Sequence, residues 1–312
     1  MRHLKIVSHS RTQGSEKLEF QDGTRYRFPY QALNDYQLQM YEEVAQEALS
    51  RAEITIQDID LIVVGCAGMV QMIPSTSALL QERIGKGTGI PCFDVNSTCT
   101  SFVTALDVVG SLLETGRYHR ALVVSGDLVS HYINPAQEES YRLFSDGAAA
   151  FIVEATEEEV GIVYASQETW SEGAHETEIR GGLTHLSPTL WSEDNAQEYL
   201  FDMDGFAVLK IAMRKLPKMF KRGLQESGLT VDHLDKLIPH QASPALSLVT
   251  KKLKLKEGQL IDYYAEFGNM VSASIPYTLS EALDRGEIQE GDLVALYGTA
   301  AGLTLNLMFL QL

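Results

Sequence analysis

The stretch Phe93-Asp94-Val95-Asn96-Ser97-Thr98-Cys99-Thr100-Ser101-Phe102 runs straight into Val103-Thr104-Ala105-Leu106 and on to Leu113. A β-type segment gives way to small polar residues, and a helix-like pattern starts at once. A thiol at such a strand-to-helix turn meets unpaired backbone N–H groups and the positive end of the helix dipole. Both favour thiolate over thiol. The local reading is an activated nucleophile at Cys99. The competing reading is an inert apolar filler, because free cysteine packs as a small hydrophobe.

The same alternation of strand and helix extends in both directions. Leu61-Ile62-Val63-Val64, Ala121-Leu122-Val123-Val124, Ala149-Ala150-Phe151-Ile152-Val153 and Leu293-Val294-Ala295-Leu296 are short apolar runs. They predict strands of a sheet covered on both faces. Helical periodicity falls between them, over Tyr36 to Arg51, Ser75 to Ile84, Ser101 to Leu113, Val208 to Leu224, Pro244 to Leu253 and Pro276 to Leu283. The order indicates α/β layering.

The two halves also echo one another. Leu49 followed by Thr55-Ile56-Gln57-Asp58-Ile59-Asp60 recurs as Leu224 followed by Thr230-Val231-Asp232-His233-Leu234-Asp235. Glu114-Thr115-Gly116 before Leu122-Val123-Val124-Ser125-Gly126 is matched by Asp284-Arg285-Gly286 before Val294-Ala295-Leu296-Tyr297-Gly298. Matches in the same order and at nearly the same offset indicate an internal duplication. The acidic stretch Glu154 to Val160 is the expected join, giving halves of 1–157 and 158–312. Glu168 to Tyr199 has little periodicity, and long loops of this kind commonly serve as lids or binding loops.

Composition limits the function classes. The 312 residues carry 25 basic and 42 acidic side chains, a formal charge of −17, which argues against general nucleic-acid binding. Three cysteines, Cys66, Cys92 and Cys99, without a secretory pattern at Met1 to His9 point to a reducing cytoplasm with no disulfide framework. No apolar stretch approaches a membrane span. No Cys/His cluster has zinc-like spacing, so neither a metal nor another cofactor is expected. Against the acidic background, Gly205 to Gly223 holds Lys210, Arg214, Lys215, Lys218, Lys221 and Arg222 with no acidic residue. Lys251, Lys252, Lys254 and Lys256 follow. Such patches suit an acidic partner or a phosphate-bearing ligand; the plainer alternative is a solvated basic helix face.

Two further turns in the second half resemble the Cys99 turn. Leu237-Ile238-Pro239-His240-Gln241-Ala242-Ser243 puts His240 just past a predicted strand. Phe267-Gly268-Asn269-Met270-Val271-Ser272-Ala273-Ser274 puts Asn269 in a turn feeding a helix, the rough duplicate of the Cys99 turn. Strand ends of α/β sheets carry functional side chains, and a Cys with a His is a sound nucleophile arrangement. Each residue taken singly is also an ordinary turn residue.

Together Asp94-Val95-Asn96-Ser97-Thr98-Cys99, Phe144-Ser145-Asp146-Gly147-Ala148-Ala149, Pro239-His240-Gln241-Ala242 and Gly268-Asn269 with Ala273-Ser274-Ile275-Pro276 resemble the β-ketoacyl-acyl-carrier-protein synthase III family of the thiolase superfamily. The resemblance implies a five-layered αβαβα fold and a homodimer. It also implies a decarboxylative Claisen condensation of an acyl thioester with malonyl-acyl carrier protein. In that scheme Cys99 carries the acyl group, and His240 and Asn269 stabilise the enolate. The backbone N–H groups of Cys99 and Ala301, the latter in Tyr297-Gly298-Thr299-Ala300-Ala301-Gly302, form the oxyanion hole. Lys210, Arg214, Lys251 and Lys252 become candidates for docking acyl carrier protein, and Met69, Met72, Ile73 and Phe206 for the wall of the acyl pocket.

The chain departs from the family where coenzyme A is held. Phe28-Pro29-Tyr30-Gln31-Ala32-Leu33-Asn34-Asp35-Tyr36 stands in place of the usual Trp and Arg-Thr-Gly-Ile segment. The acyl donor, coenzyme A or carrier protein, is left open on this reading, with carrier protein favoured. Acyl transfer to an alcohol or amine without decarboxylation, and a non-catalytic partner subunit, are the alternative functions.

Overall fold

Strands buried on both faces build the sheet, and helices with one buried face cover it. The computed structural model describes residues 1–312 except the side chains of Leu246 and Val249. Its strands are β1 (Arg2–Gln13), β2 (Glu16–Phe20), β3 (Gly23–Arg27), β4 (Leu61–Gly65), β5 (Cys92–Val95), β6 (Arg120–Asp127) and β7 (Gly147–Ala155). They continue as β8 (Gly161–Thr169), β9 (Thr177–Glu178), β10 (Asp202–Met203), β11 (Lys236–Pro239), β12 (Leu293–Ala300) and β13 (Thr304–Gln311). The helices are α1 (Tyr36–Arg51), α2 (Thr76–Gly85), α3 (Ser101–Glu114), α4 (Glu138–Leu143), α5 (Gly205–Glu226), α6 (Leu246–Thr250), α7 (Tyr264–Phe267) and α8 (Ser274–Asp284).

Nine strands run in the order β11-β12-β13-β8-β1-β7-β6-β4-β5, while β2–β3 and β9–β10 are small hairpins. The link between the two halves of the large sheet is short: β1 and β8 pair only Arg2 with Ile162 and His3 with Gly161. The halves turn toward each other there and enclose α3 and α8. Val103, Leu106 and Val109 of α3 and Ile275 and Leu279 of α8 share one core with Val63, Val123, Val294 and Met308. Alternate residues of the same strands face outward: Leu122 and Val124 pack under α1 and α2, while Ala295 and Tyr297 pack under α5. The layers are therefore α1/α2, sheet, α3/α8, sheet, α5, a five-layered αβαβα arrangement of two duplicated halves.

Residues 156–160, between β7 and β8, contain the expected join. The middle layer belongs to both halves, because α3 packs on strands of each. Central strands β1, β8 and β13 are additions to the strands expected from apolar runs. At Ser8 and Ser10 of β1 the buried side chains are polar: Ser8 Oγ donates to the Ala48 carbonyl at 2.6 Å and Ser10 Oγ to that of Val44 at 2.5 Å. Buried hydroxyls satisfied by α1 fill positions that alternation would give to Val or Ile, which hides the strand from a hydropathy pattern.

Candidate active site

β5 ends at Val95, and its Asp94 carboxylate caps α2 by accepting from the backbone N–H of Thr76 (2.8 Å) and Ser77 (2.7 Å). The chain then turns through Asn96, whose side-chain oxygen accepts from Thr98 N–H at 2.9 Å while its amide donates to the Ala67 carbonyl at 3.0 Å. This clamp holds Thr98 at φ 50°, a left-handed conformation that a β-branched residue adopts only under constraint. A 3-10 turn over Thr98–Thr100 follows, and α3 begins. Cys99 sits on that turn, partly buried.

The backbone N–H groups of Ala301 and of Cys99 itself, with the Thr98 hydroxyl, pull the Cys99 thiol down. They favour the thiolate. Burial acts the other way and is the largest influence, reinforced by the Asp127 carboxylate, so the thiol is pushed up to about 12. The turn and its N–H groups favour the thiolate as the sequence suggests, and burial of the thiol opposes them.

His240 follows β11 and is 3% exposed. Burial alone holds its imidazole down, to about 4, and Nδ1 is buried with no partner among the described residues. A neutral imidazole carries one N–H donor. Its neighbour across the sheet end is Gly298, where an added Cβ would lie 2.6 Å from the His240 Cβ and 3.5 Å from the Thr100 Cγ2. Only glycine lets the imidazole come this close to the nucleophile turn.

Asn269 is also buried. Its side-chain oxygen accepts from Val271 N–H at 2.8 Å, and its amide donates to the Ala242 carbonyl, two residues past His240, at 3.1 Å. The second amide N–H has no partner among the described residues. Val271 packs in the same apolar cluster as Cys99, and Gly298 stands between His240 and Thr100, so the turns that carry the three residues lie side by side.

Asp127, Ser272 and Gly298 were not singled out from sequence. Asp127 ends β6 in the run Ser125-Gly126-Asp127, and its carboxylate accepts from Ala67 N–H (3.0 Å), Gly68 N–H (2.8 Å) and Ser272 N–H (3.1 Å). Burial raises its carboxyl to about 6 despite these donors. An aspartate at the end of a buried strand was the available signal.

The apolar surroundings of the thiol differ from expectation. Met69, Met72, Ile73 and Phe206 are all exposed, Ile73 at 77% and Phe206 at 78%, so they wall no enclosed pocket in this chain. Cys99 instead borders a cluster that includes Val129, Ile133, Phe144 and Val271, against which Phe201 and Met203 also pack. Phe201 and Met203 come from the end of the long irregular segment, and the Phe144 and Phe201 rings meet edge-on at 4.8 Å. Apolar residues in irregular chain carry no periodicity, and their burial is decided by tertiary packing. Of the basic candidates, Lys210, Arg214, Lys251 and Lys252 are exposed as expected, but Arg214 is paired with Glu172 at 2.8 Å and Lys252 bonds the Met213 carbonyl at 3.3 Å.

Two family models match the chain: 3-oxoacyl-[acyl-carrier-protein] synthase III over residues 93–170 and its C-terminal part over residues 224–312. The β-ketoacyl-[acyl-carrier-protein] synthase III of Pasteurella multocida is 35% identical over 263 residues, 84% of this chain and 80% of the relative. The chain belongs to this family. The family is one of acyltransferases, and the thiolase fold seen above is its fold. The counterpart from Clostridium perfringens is 29% identical, covering 91% of this chain and 87% of its own. The solved synthase III of Pseudomonas aeruginosa superposes with a TM-score of 0.86 at 25% identity over 99% of this chain and 98% of that one. Xanthomonas campestris OleA shares the fold, with a TM-score of 0.82 at 18% identity over 99% and 98% of the two chains.

Proposed function

We propose that this synthase III family member joins an acyl group to a malonyl unit by decarboxylative Claisen condensation, in fatty acid or specialised lipid synthesis. The observation that carries the reading is a pair of buried donors, the neutral imidazole of His240 and the amide of Asn269, with Val271 of the Asn269 turn packed in the apolar cluster that Cys99 also joins. Cys99 attacks an acyl thioester; the carbon–sulfur bond of the donor breaks, its thiol leaves, and the acyl group stays on the sulfur. The N–H groups of Cys99 and Ala301 take the developing oxyanion. They act strongly there because they are preorganised in a water-poor site.

Malonyl thioester then loses carbon dioxide. The electron pair of the breaking carbon–carbon bond passes into the thioester carbonyl, and His240 and Asn269 donate to the resulting enolate oxygen. The carbanion attacks the acyl carbon and the Cys99 sulfur is released. Two neutral donors suit this step because they stabilise new negative charge without pairing with the malonyl carboxylate and retaining it. An acyl transfer to an alcohol or amine has no use for the second donor.

Exposed Lys210, Lys218 and Lys251 support docking of an acidic acyl carrier protein. Met69, Met72 and Ile73, exposed on one irregular segment, support burial against a second copy in a homodimer. No helix among the described residues is long and apolar enough to cross a membrane, which fits the proposed cytoplasmic setting. The deciding experiment measures carbon dioxide release from malonyl-carrier protein together with acyl mass on Cys99. The parent protein is expected to show both. Acylation with no carbon dioxide release would favour simple acyl transfer, and absence of acylation from any thioester would end the reading.

A further inference from the structure

Residues 16–27 lie outside both family-matched segments, yet they carry two arginines that are almost wholly buried. Arg25 is 0% exposed and Arg27 6%. A buried guanidinium is costly unless its donors are used. Arg25 uses all three nitrogens: Nε donates to the Arg142 carbonyl (2.6 Å), Nη1 to that of Thr24 (2.7 Å), and Nη2 to the Asp22 carboxylate (2.9 Å) and the Tyr264 hydroxyl (2.8 Å). Its plane lies over the Tyr264 ring at 4.5 Å. Arg27 donates to the carbonyls of Phe144, at 3.0 Å, and Tyr141.

The bonds to Tyr141, Arg142 and Phe144 reach one short piece of chain, residues 141–146. The hairpin backbone grips it as well: Tyr26 N–H donates to Ser145 Oγ (2.9 Å), and Asp146 N–H donates to the Tyr26 carbonyl (2.7 Å). The other side of that piece holds Asn269. Phe144 bridges Asn269 in parallel, with Asn269 N–H donating to the Leu143 carbonyl and Ser145 N–H to the Asn269 carbonyl, each at 2.9 Å. The guanidinium stem also abuts the residue before Asn269. Gly268 stands at φ 72°, and a Cβ there would fall 2.3 Å from the Arg25 Cδ. The hairpin thus fixes the backbone of Asn269 from two directions, through the 141–146 segment and directly through Gly268.

We infer that the β2–β3 hairpin is a positioning element for the enolate donor, with Arg25 as the residue through which it acts on Asn269. The inference rests on the decarboxylation proposed above. It separates the two half-reactions, because acyl transfer to Cys99 does not use the Asn269 side chain. Arg25→Met should leave Cys99 acylation by an acyl-pantetheine thioester, read by intact mass, within about twofold of the parent. Carbon dioxide release from malonyl-carrier protein should fall about tenfold or more, in kcat rather than KM. Arg25→Lys keeps the charge and should recover part of the loss, without the planar fork that serves several carbonyls. Gly268→Ala tests the same contact from the other side and should show the same split.

Equal losses in both half-reactions, or no loss in either, would overturn the inference and leave the hairpin a structural clamp. A parent protein that acylates Cys99 but releases no carbon dioxide would overturn the enolate reading and this inference with it. A parent that releases it while Arg25→Met matches its rate would overturn this inference alone.

Discussion

The turn at Cys99 and the turn at Ser272 are duplicates with opposite occupants. Asn96 and Asn269 open them; each accepts from the N–H two residues on and donates to the carbonyl of an alanine, Ala67 in one half and Ala242 in the other. Thr98 and Val271 stand at φ 50° and 51°. Ser101 and Ser274 each accept from the backbone N–H four residues earlier, at 3.0 and 2.9 Å. The residue in the nucleophile position is Cys99 in the first half and Ser272 in the second. Ser272 is fully buried, its hydroxyl has no partner among the described residues, and its N–H is taken by Asp127. The N–H that would steady an oxyanion in one turn is already occupied by a carboxylate in the other.

The strand ends differ in the same complementary way. In the first half Gly65 pairs with Ser125, whose hydroxyl donates to the Gly65 carbonyl at 2.5 Å. In the second half the residue that follows the corresponding strand is His240, which lies against Gly298 of the neighbouring strand. In the proposed reaction one duplicated frame would present a nucleophile from its first copy and two enolate donors from its second. A single buried aspartate closes the unused position and also braces the loop that holds Asn96.

The sharpest way to break this comparison is to exchange nucleophiles. Cys99→Ala should abolish acyl mass addition, and adding Ser272→Cys should not restore it. Acyl mass on the double variant, mapped to the second turn, would show that turn to be as competent as the first. Next in size, Asn269→Ala should lower carbon dioxide release by about 10²–10³-fold while acylation persists. Asn96→Ala should instead slow acylation, because it frees the nucleophile turn. Equal effects of the two asparagines on both steps would erase the division of labour.

His240 sets a pH-dependent contrast with Gly65, which has no ionisable counterpart. Its folded imidazole titrates near 4, against about 6.5 when unfolded. Between these values the unfolded chain binds a proton that the folded chain refuses, so stability is lost as pH falls from about 6.5 toward 4. The full loss is ~3 kcal/mol. Thermal melting of His240→Gln should fall less steeply than the parent's across that window, and an unchanged slope would contradict the burial argument. The smallest expected effect is that of Asp127→Asn. Removing the negative charge beside Cys99 should move the midpoint of iodoacetamide alkylation to lower pH, by on the order of one unit. A midpoint that stays in place or rises would mean that the carboxylate acts only as a brace.

The sequence alone specified the duplicated α/β order, because buried runs such as Leu122-Val123-Val124 and Ala295-Leu296-Tyr297 display their period directly. It also located Cys99 and His240 just past strand ends and Asn269 in a turn leading to a helix, since turn chemistry is local, although α7 and not a strand precedes Asn269. Tertiary structure decided the rest. It placed the polar strand β1 at the centre of the sheet, where Ser8 and Ser10 find α1 carbonyls that no local pattern reveals. It put Phe201 and Met203 against the apolar cluster that Cys99 also borders, and left Met69 and Ile73 exposed. It also brought Asp127 to the Ser272 N–H across 145 residues of chain, and left the Cys99 thiol protonated at rest. The physical reason is common to all of these. Turns and periodicity are set by neighbours in sequence, whereas desolvation and hydrogen-bond partnership depend on which distant segments exclude water from the same place.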